Sequence, residues 1–299
     1  MFDPIELSKA CLRVSVQKPE VARIVELNSH QAFVAGWKEK VHVGSVAHIR
    51  TEKGKSIKAE VVGSTSSQTI LDLPNDRSGI RIGDLVWISD DVEIRPGDHW
   101  IGRTLDARGR PIDGRRLARL PEVENAPKMP GALERRPMGA RLETGYFAFN
   151  TFLPIVKGQR LGIFAGSGVG KSTLLGGFAQ NLEADVVVIA LVGERGHEVR
   201  AFREEVLGAE GMKRAVLVAS TSDQPATERR RSVDTATRVA EYFRDQGRHV
   251  LLLVDSITRL AEAHREIETD FGHSANCRGF PSSTQALVAG LCERAGPGA

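Results

Sequence analysis

No segment constrains this chain more than Ala165-Gly166-Ser167-Gly168-Val169-Gly170-Lys171-Ser172, a glycine-rich stretch that follows the apolar run Leu161 to Ala165 and opens a helical pattern. Between a strand and a helix, such a loop turns tightly and aims its N–H groups, with the positive end of the helix dipole, at phosphate oxygens. Lys171 is placed to reach the β- and γ-phosphates of a nucleoside triphosphate, and the Ser172 hydroxyl to join a magnesium shell. Residues Ala165, Gly166, Ser167, Gly168, Val169, Gly170, Lys171, Ser172 and Thr173 form the expected nucleotide-binding set. The first loop position is Ala where the strict pattern has Gly, a tolerated variation.

After Leu161, β-type runs alternate with helical patterns, which implies a parallel sheet with helices on its faces. The expected strands are Leu161 to Ala165, Val186 to Val192, Ala215 to Ala219 and Val250 to Asp255. Between the last two, Val233, Ala236, Val239, Ala240 and Phe243 recur at three- and four-residue steps. That spacing predicts a helix with one apolar face on the sheet, ended by Gln246-Gly247.

Two carboxylates stand where a parallel sheet presents residues to a ligand. Asp255 ends the apolar run Val250-Leu251-Leu252-Leu253-Val254 and is the expected magnesium ligand, held directly or through water, beside Ser172. Alone, such an Asp would more often cap the helix that follows it. Glu194, in Gly193-Glu194-Arg195-Gly196, leaves the neighbouring strand at the same edge and can orient an attacking water. Its plainer role is favourable charge at the start of the helix from His197.

The first part of the chain reads differently. Val21 to Leu27, Gln31 to Gly36, Val46 to Thr51, Ile57 to Val62, Thr69 to Leu73 and Leu85 to Ile88 are short β-rich runs separated by turns, the pattern of a small closed or nearly closed β-barrel. Prolines then crowd between Pro96 and Pro137, which marks a connector wrapped on the next domain. The expected organisation is a β-barrel over residues 1–90, a Pro-rich connector over 91–145 and a phosphate-loop α/β domain over 146–299, incomplete at its C-terminal end.

Composition excludes several classes. The hydrophobic and charged fractions, 41% and 26%, are those of an ordinary globular protein. No apolar run approaches the length of a membrane span, and the beginning MFDPIELSKA lacks a basic segment leading into an apolar one. A cytoplasmic location is the expectation. The net charge of +3 is concentrated between Arg95 and Gly145, so no long basic face invites nucleic acid. Arg229, Arg230 and Arg231 form the one tight basic run, expected on a solvated or subunit-facing side of a helix. Cys11, Cys277 and Cys292 are odd in number and form no CxxC pair, which suggests neither disulfides nor zinc.

With these residues in view, the chain resembles the hexameric ATPases related to the catalytic subunit of rotary ATP synthases. The resemblance is carried by GQRLGIFAGSGVGKSTLL, LVGERGHEVRAF, AEYFRDQG and VLLLVDSITR. IFAGSGVGKS and STSD are most similar to the flagellar and type III secretion export branch. The resemblance implies a barrel followed by a RecA/F1-like phosphate-loop domain and the hydrolysis of ATP with Mg2+. It gives Lys171 the phosphate grip, Ser172 and Asp255 the metal, Glu194 the catalytic carboxylate and Arg195 the place of its neighbouring site arginine. It further implies a homo-hexamer at the cytoplasmic face of the inner membrane, working with stalk and regulator proteins on chaperone-substrate complexes and with no nucleic acid partner.

Two departures accompany it. Asp270 to Ser282 replaces a Pro-rich segment and a Gly-Tyr-Pro-Pro-like turn, and the chain stops at Ala299 where members continue with further strands, an intersubunit arginine and a helical domain. The expectation is therefore a shortened member. Its rivals are a rotary synthase catalytic subunit, an RNA-dependent translocase, which the lack of aromatic clusters in the barrel disfavours, and a non-catalytic regulatory nucleotide binder.

Overall fold

The computed structural model describes residues 20–28, 30–37, 41–65, 67–74, 77–89, 94–117, 130–131, 133–166, 168–270 and 279–298. It divides into two units, Met1–Val92 and Glu93–Ala299.

In the first unit β1 (Val21–Leu27), β2 (Gln31–Ala35), β3 (Val46–Arg50), β4 (Ser56–Ser64), β5 (Thr69–Asp72) and β6 (Leu85–Ser89) close into a barrel in the order β1-β2-β5-β4-β3-β6. Every pairing is antiparallel. Alternation sends one residue of each pair inward, so Ile24, Val34, Ile49, Val61, Leu71 and Val86 fill the interior. Each such side chain contributes about 1.5–3 kcal/mol by leaving water. Register shifts at Ile24/Glu26 and Val61/Gly63 are bulges of the kind that bend strands into a closed wall.

The second unit is built on a parallel sheet of β7 (Thr104–Leu105), β10 (Val186–Glu194), β11 (Ala215–Thr221) and β12 (Val250–Asp255), in the order β12-β10-β11-β7. A two-stranded antiparallel pair, β8 (Arg141–Leu142) and β9 (Ile155–Val156), lies beside it in the chain. The proline-rich segment thus supplies a strand, β7, whose approach is fixed by the buried pair Arg103 Nε–Asp113 Oδ2 at 2.7 Å. The helices are α1 (Phe147–Thr151), α2 (Lys171–Asn181), α3 (Gly196–Ala201), α4 (Gly208–Met212), α5 (Ala226–Asp245), α6 (Ile257–Asp270) and α7 (Ser282–Arg294). A π-helical turn, Phe202–Leu207, joins α3 to α4.

Strand β10 explains the layers. Its even residues Val186, Val188, Ala190 and Val192 pack with Val233, Ala236, Val239, Ala240 and Phe243 of α5. Its odd residues Val187, Ile189 and Leu191 pack with Leu175 and Ala179 of α2 and with Val199 of α3. A strand covered on both faces has to be apolar throughout, as this one is. Helix α7 is tied to α5 by Arg294, whose guanidinium donates to Glu241 Oε2 at 2.8 Å and to Asp234 Oδ1 at 2.6 Å.

One expected strand does not form. Leu161 to Ala165 makes no ladder among the described residues, and Phe164 is 97% exposed. Ile163 is its one anchored side chain, packed against the α2 side of the sheet. Apolarity says that a run favours cover; a strand also needs a partner's free N–H and C=O groups at the right register. Residues 271–278 of the divergent segment, with Cys277, lie outside the described residues, as do Cys11 and Ser167. Among the described residues no helix is long and apolar enough to cross a membrane.

Candidate functional site

The glycine-rich loop ends in two left-handed glycines, Gly168 at φ +77° and Gly170 at φ +96°, a conformation that disfavours any side chain. A Cβ at Gly166, Gly168 or Gly170 would meet nothing within 4 Å, so the loop faces open space on the scale of a phosphate group. Gly170 caps α2 without a side-chain hydrogen bond, which leaves the helix's first N–H groups for a ligand. Val169 is 68% exposed above them, and Ala165, Ser172 and Thr173 are exposed as well.

The first turn of α2 and the end of β12 converge. Lys171 Nζ lies 2.5 Å from Asp255 Oδ1, and Ser172 Oγ donates to Asp255 Oδ2 at 3.3 Å. Asp255 is buried at 3% exposure, while the Lys171 side chain keeps 29%. The arrangement follows from topology: a parallel sheet puts the end of β12 beside the start of α2, and the two elements are in contact. Two oxygen groups of the kind a hard cation takes, Ser172 Oγ and the Asp255 carboxylate, therefore stand together. Among the described residues no group of three or more His, Cys, Asp and Glu side chains converges as a metal site.

Glu194 ends β10, one strand over, after a register shift that sets it opposite Thr221. Its carboxyl is pushed up to about 7, first by burial, then by its hydrogen bond with Glu198 and by the negative charge of Asp255. Arg259 on α6 works in the opposite direction. Glu198 is held below the ordinary range, because it accepts from Glu194 and from the Arg195 N–H, the latter at 3.1 Å. This environment produces a carboxyl that exchanges its proton near neutrality.

Of the residues expected from sequence, the structure brings Lys171, Ser172 and Asp255 into contact and sets Glu194 within the field of Asp255. Arg195 stands at the N-cap of α3 with its side chain exposed, and it joins the group through its backbone. Two participants were missed. Glu198 lies in the first turn of α3, just after the end of β10, and Arg259 at the start of α6, just after the end of β12; closeness in the chain to the two strand-end carboxylates was the available signal.

Residues 145–299 match the family described as the ATP synthase alpha/beta family, nucleotide-binding domain. The chain is 43% identical over 298 residues to a "Flagellum-specific ATP synthase" of Bacillus subtilis, covering 99% of this chain and 66% of that protein. It is 39% identical to a "Type 3 secretion system ATPase" of Xanthomonas euvesicatoria, covering 92% of this chain and 63% of that one. Among solved structures it is similar to the assembled ATPase EscN in complex with its central stalk EscO, from the enteropathogenic E. coli type III secretion system. That likeness has a TM-score of 0.81 and 37% identity, and covers 93% of this chain and 68% of that one. The chain thus spans just under two thirds of the length of these curated relatives.

Proposed function

The chain belongs to the ATP synthase alpha/beta family, and on that premise we propose that it binds ATP with Mg2+ and hydrolyses it in the service of flagellar or type III protein export. The observation that carries the reading is the convergence of Lys171 and Ser172 on Asp255, with Glu194 raised to about 7 on the adjoining strand. The choice of export over ATP synthesis rests on the relatives named as type III secretion system ATPases, with the flagellum-specific ATP synthases giving the flagellar alternative.

Lys171 Nζ is paired with Asp255 Oδ1 at 2.5 Å. The triphosphate offers it a more anionic partner, and Lys171 turns to the β- and γ-oxygens while the loop N–H groups and the start of α2 receive the rest. Ser172 and Asp255 fit Mg2+, which when bound would neutralise charge on the phosphate oxygens. Glu194 loses its proton near neutrality and then accepts a hydrogen bond from the attacking water, orienting it toward the γ-phosphorus. Arg195 supplies positive charge at the same edge.

The wider proposal follows the assembled relatives, EscN and its stalk EscO. The chain works in a homo-hexamer around a stalk, at the cytoplasmic face of the inner membrane, and acts on chaperone-bound export substrates. The test is Mg2+-dependent ATP hydrolysis by purified protein across a concentration series. Hydrolysis that grows with assembly and disappears in Glu194→Gln supports the reading, and turnover unaffected by that substitution overturns it.

A further inference from the structure

Arg229, Arg230 and Arg231 stand near the start of α5, the helix whose side the sequence reads as solvated or subunit-facing. All three are half-buried at the start of α5. Arg229 ties three elements together. Its Nε donates to Gln224 O at 3.2 Å in the loop after β11, and its Nη2 to Glu266 Oε2 at 2.5 Å on α6. Its stem faces β10 at Gly193, where an added Cβ would stand 3.5 Å from Arg229 Cδ and 3.7 Å from Arg259 Cβ. Gly193 has φ +68° and immediately precedes Glu194.

The β10–β11 register shifts between Val192 and Glu194, and Ser222 N donates to Glu194 O at 3.0 Å, so the carboxylate's main chain depends on the loop that Arg229 grips. On its far side Arg229 lines a cleft of about 400 Å³ with Glu262, Arg265, Glu266, Thr269 and Asp270. Glu266 is 55% exposed there, so the pair can be reached from solvent.

From this geometry we infer that the Arg229–Glu266 pair positions Glu194, locking the Gly193–Glu194 turn to the Ser222–Gln224 loop and to α6. The inference rests on the hydrolytic role proposed for Glu194 and deepens it. Arg229 touches no reacting group and acts through the backbone. A shift of α6 that drew Glu266 away would release Arg229, and with it the register of the carboxylate.

The experiment compares Glu266→Gln, Arg229→Met, their double variant and Arg229→Lys in the full chain. Each single variant is expected to lower kcat for Mg2+-ATP about tenfold, the cost of modest misplacement, with KM within about twofold. The double variant should be no worse than the worse single, and Arg229→Lys should recover part of the loss. Hydrogen exchange gives a reading independent of turnover: the Ser222 amide should exchange about tenfold faster in Glu266→Gln and Arg229→Met, with global unfolding unchanged. Should wild type fail to hydrolyse ATP, the proposed function falls while Ser222 exchange still decides this inference. Unchanged Ser222 exchange in both variants, or a raised KM with kcat kept, overturns it.

Discussion

The ends of β10 and β12 lie side by side in one sheet and each carries a carboxylate, but their surroundings set them to different tasks. Asp255 faces the cation of Lys171 and the hydroxyl of Ser172. Glu194 faces Glu198 and the charge of Asp255 while partly buried, with Arg259 as the opposing cation. One carboxylate is paired with a cation; the other stands among acids, and its carboxyl is pushed up to about 7. Residue type alone does not separate them.

Removing the compensating cation should have the largest effect. Lys171→Ala is expected to lower kcat/KM for Mg2+-ATP by about a thousandfold, because a charged phosphate contact is lost and Asp255 is left uncovered. Steady-state kinetics and calorimetry check it, and undiminished affinity would break the assignment of the loop.

Glu194→Gln should slow hydrolysis at least about a hundredfold with nucleotide affinity kept, the scale of a lost general base. Single-turnover assays separate the two readouts. The same change in Asp255, to Asn, should instead weaken the dependence on Mg2+.

The comparison also has a pH signature. A base raised to about 7 must lose its proton to act, so kcat should rise with pH through that value and fall about tenfold for each unit below it. Arg259→Met removes the cation that opposes the shift, and the acid limb should move to higher pH. A limb that stays in place would mean that Arg259 does not act on Glu194.

The smallest effect is on stability. A carboxyl raised in the folded state contributes stability below its unfolded pKa and loses it as pH rises through about 7. Glu194→Gln should therefore raise the melting temperature at pH 8 by about 2 °C, once solvent screening of a half-exposed group is discounted. At about pH 4 the difference should vanish.

Strand identity was legible where periodicity and partner agreed. The six barrel runs are β-rich and regularly spaced between turns, and their closure into an antiparallel wall puts Ile24, Ile49 and Val61 inward. Strand β10 was legible because the apolar run Val186 to Val192 stands between helical patterns, the texture of a parallel strand covered on both faces. Leu161 to Ala165 looked as strand-like as β12, but a ladder is made by two segments and the run encodes only one. Glu198 and Arg259 went unassigned because their action on Glu194 passes between α3, α6 and the sheet.

By itself the sequence determined the chemical inventory: a loop whose glycines at 168 and 170 permit left-handed turns, a lysine and a serine opening a helix, and carboxylates closing two apolar runs. Those are local properties, set by backbone sterics and by the periods of strand and helix. The tertiary structure decided that Lys171 rests on Asp255, that Glu194 is pushed up to about 7 and that Arg229 lies between β10 and α6. Charge interactions and burial depend on distance in space, and residues far apart in the chain reach one another only once the sheet has brought its strand ends together.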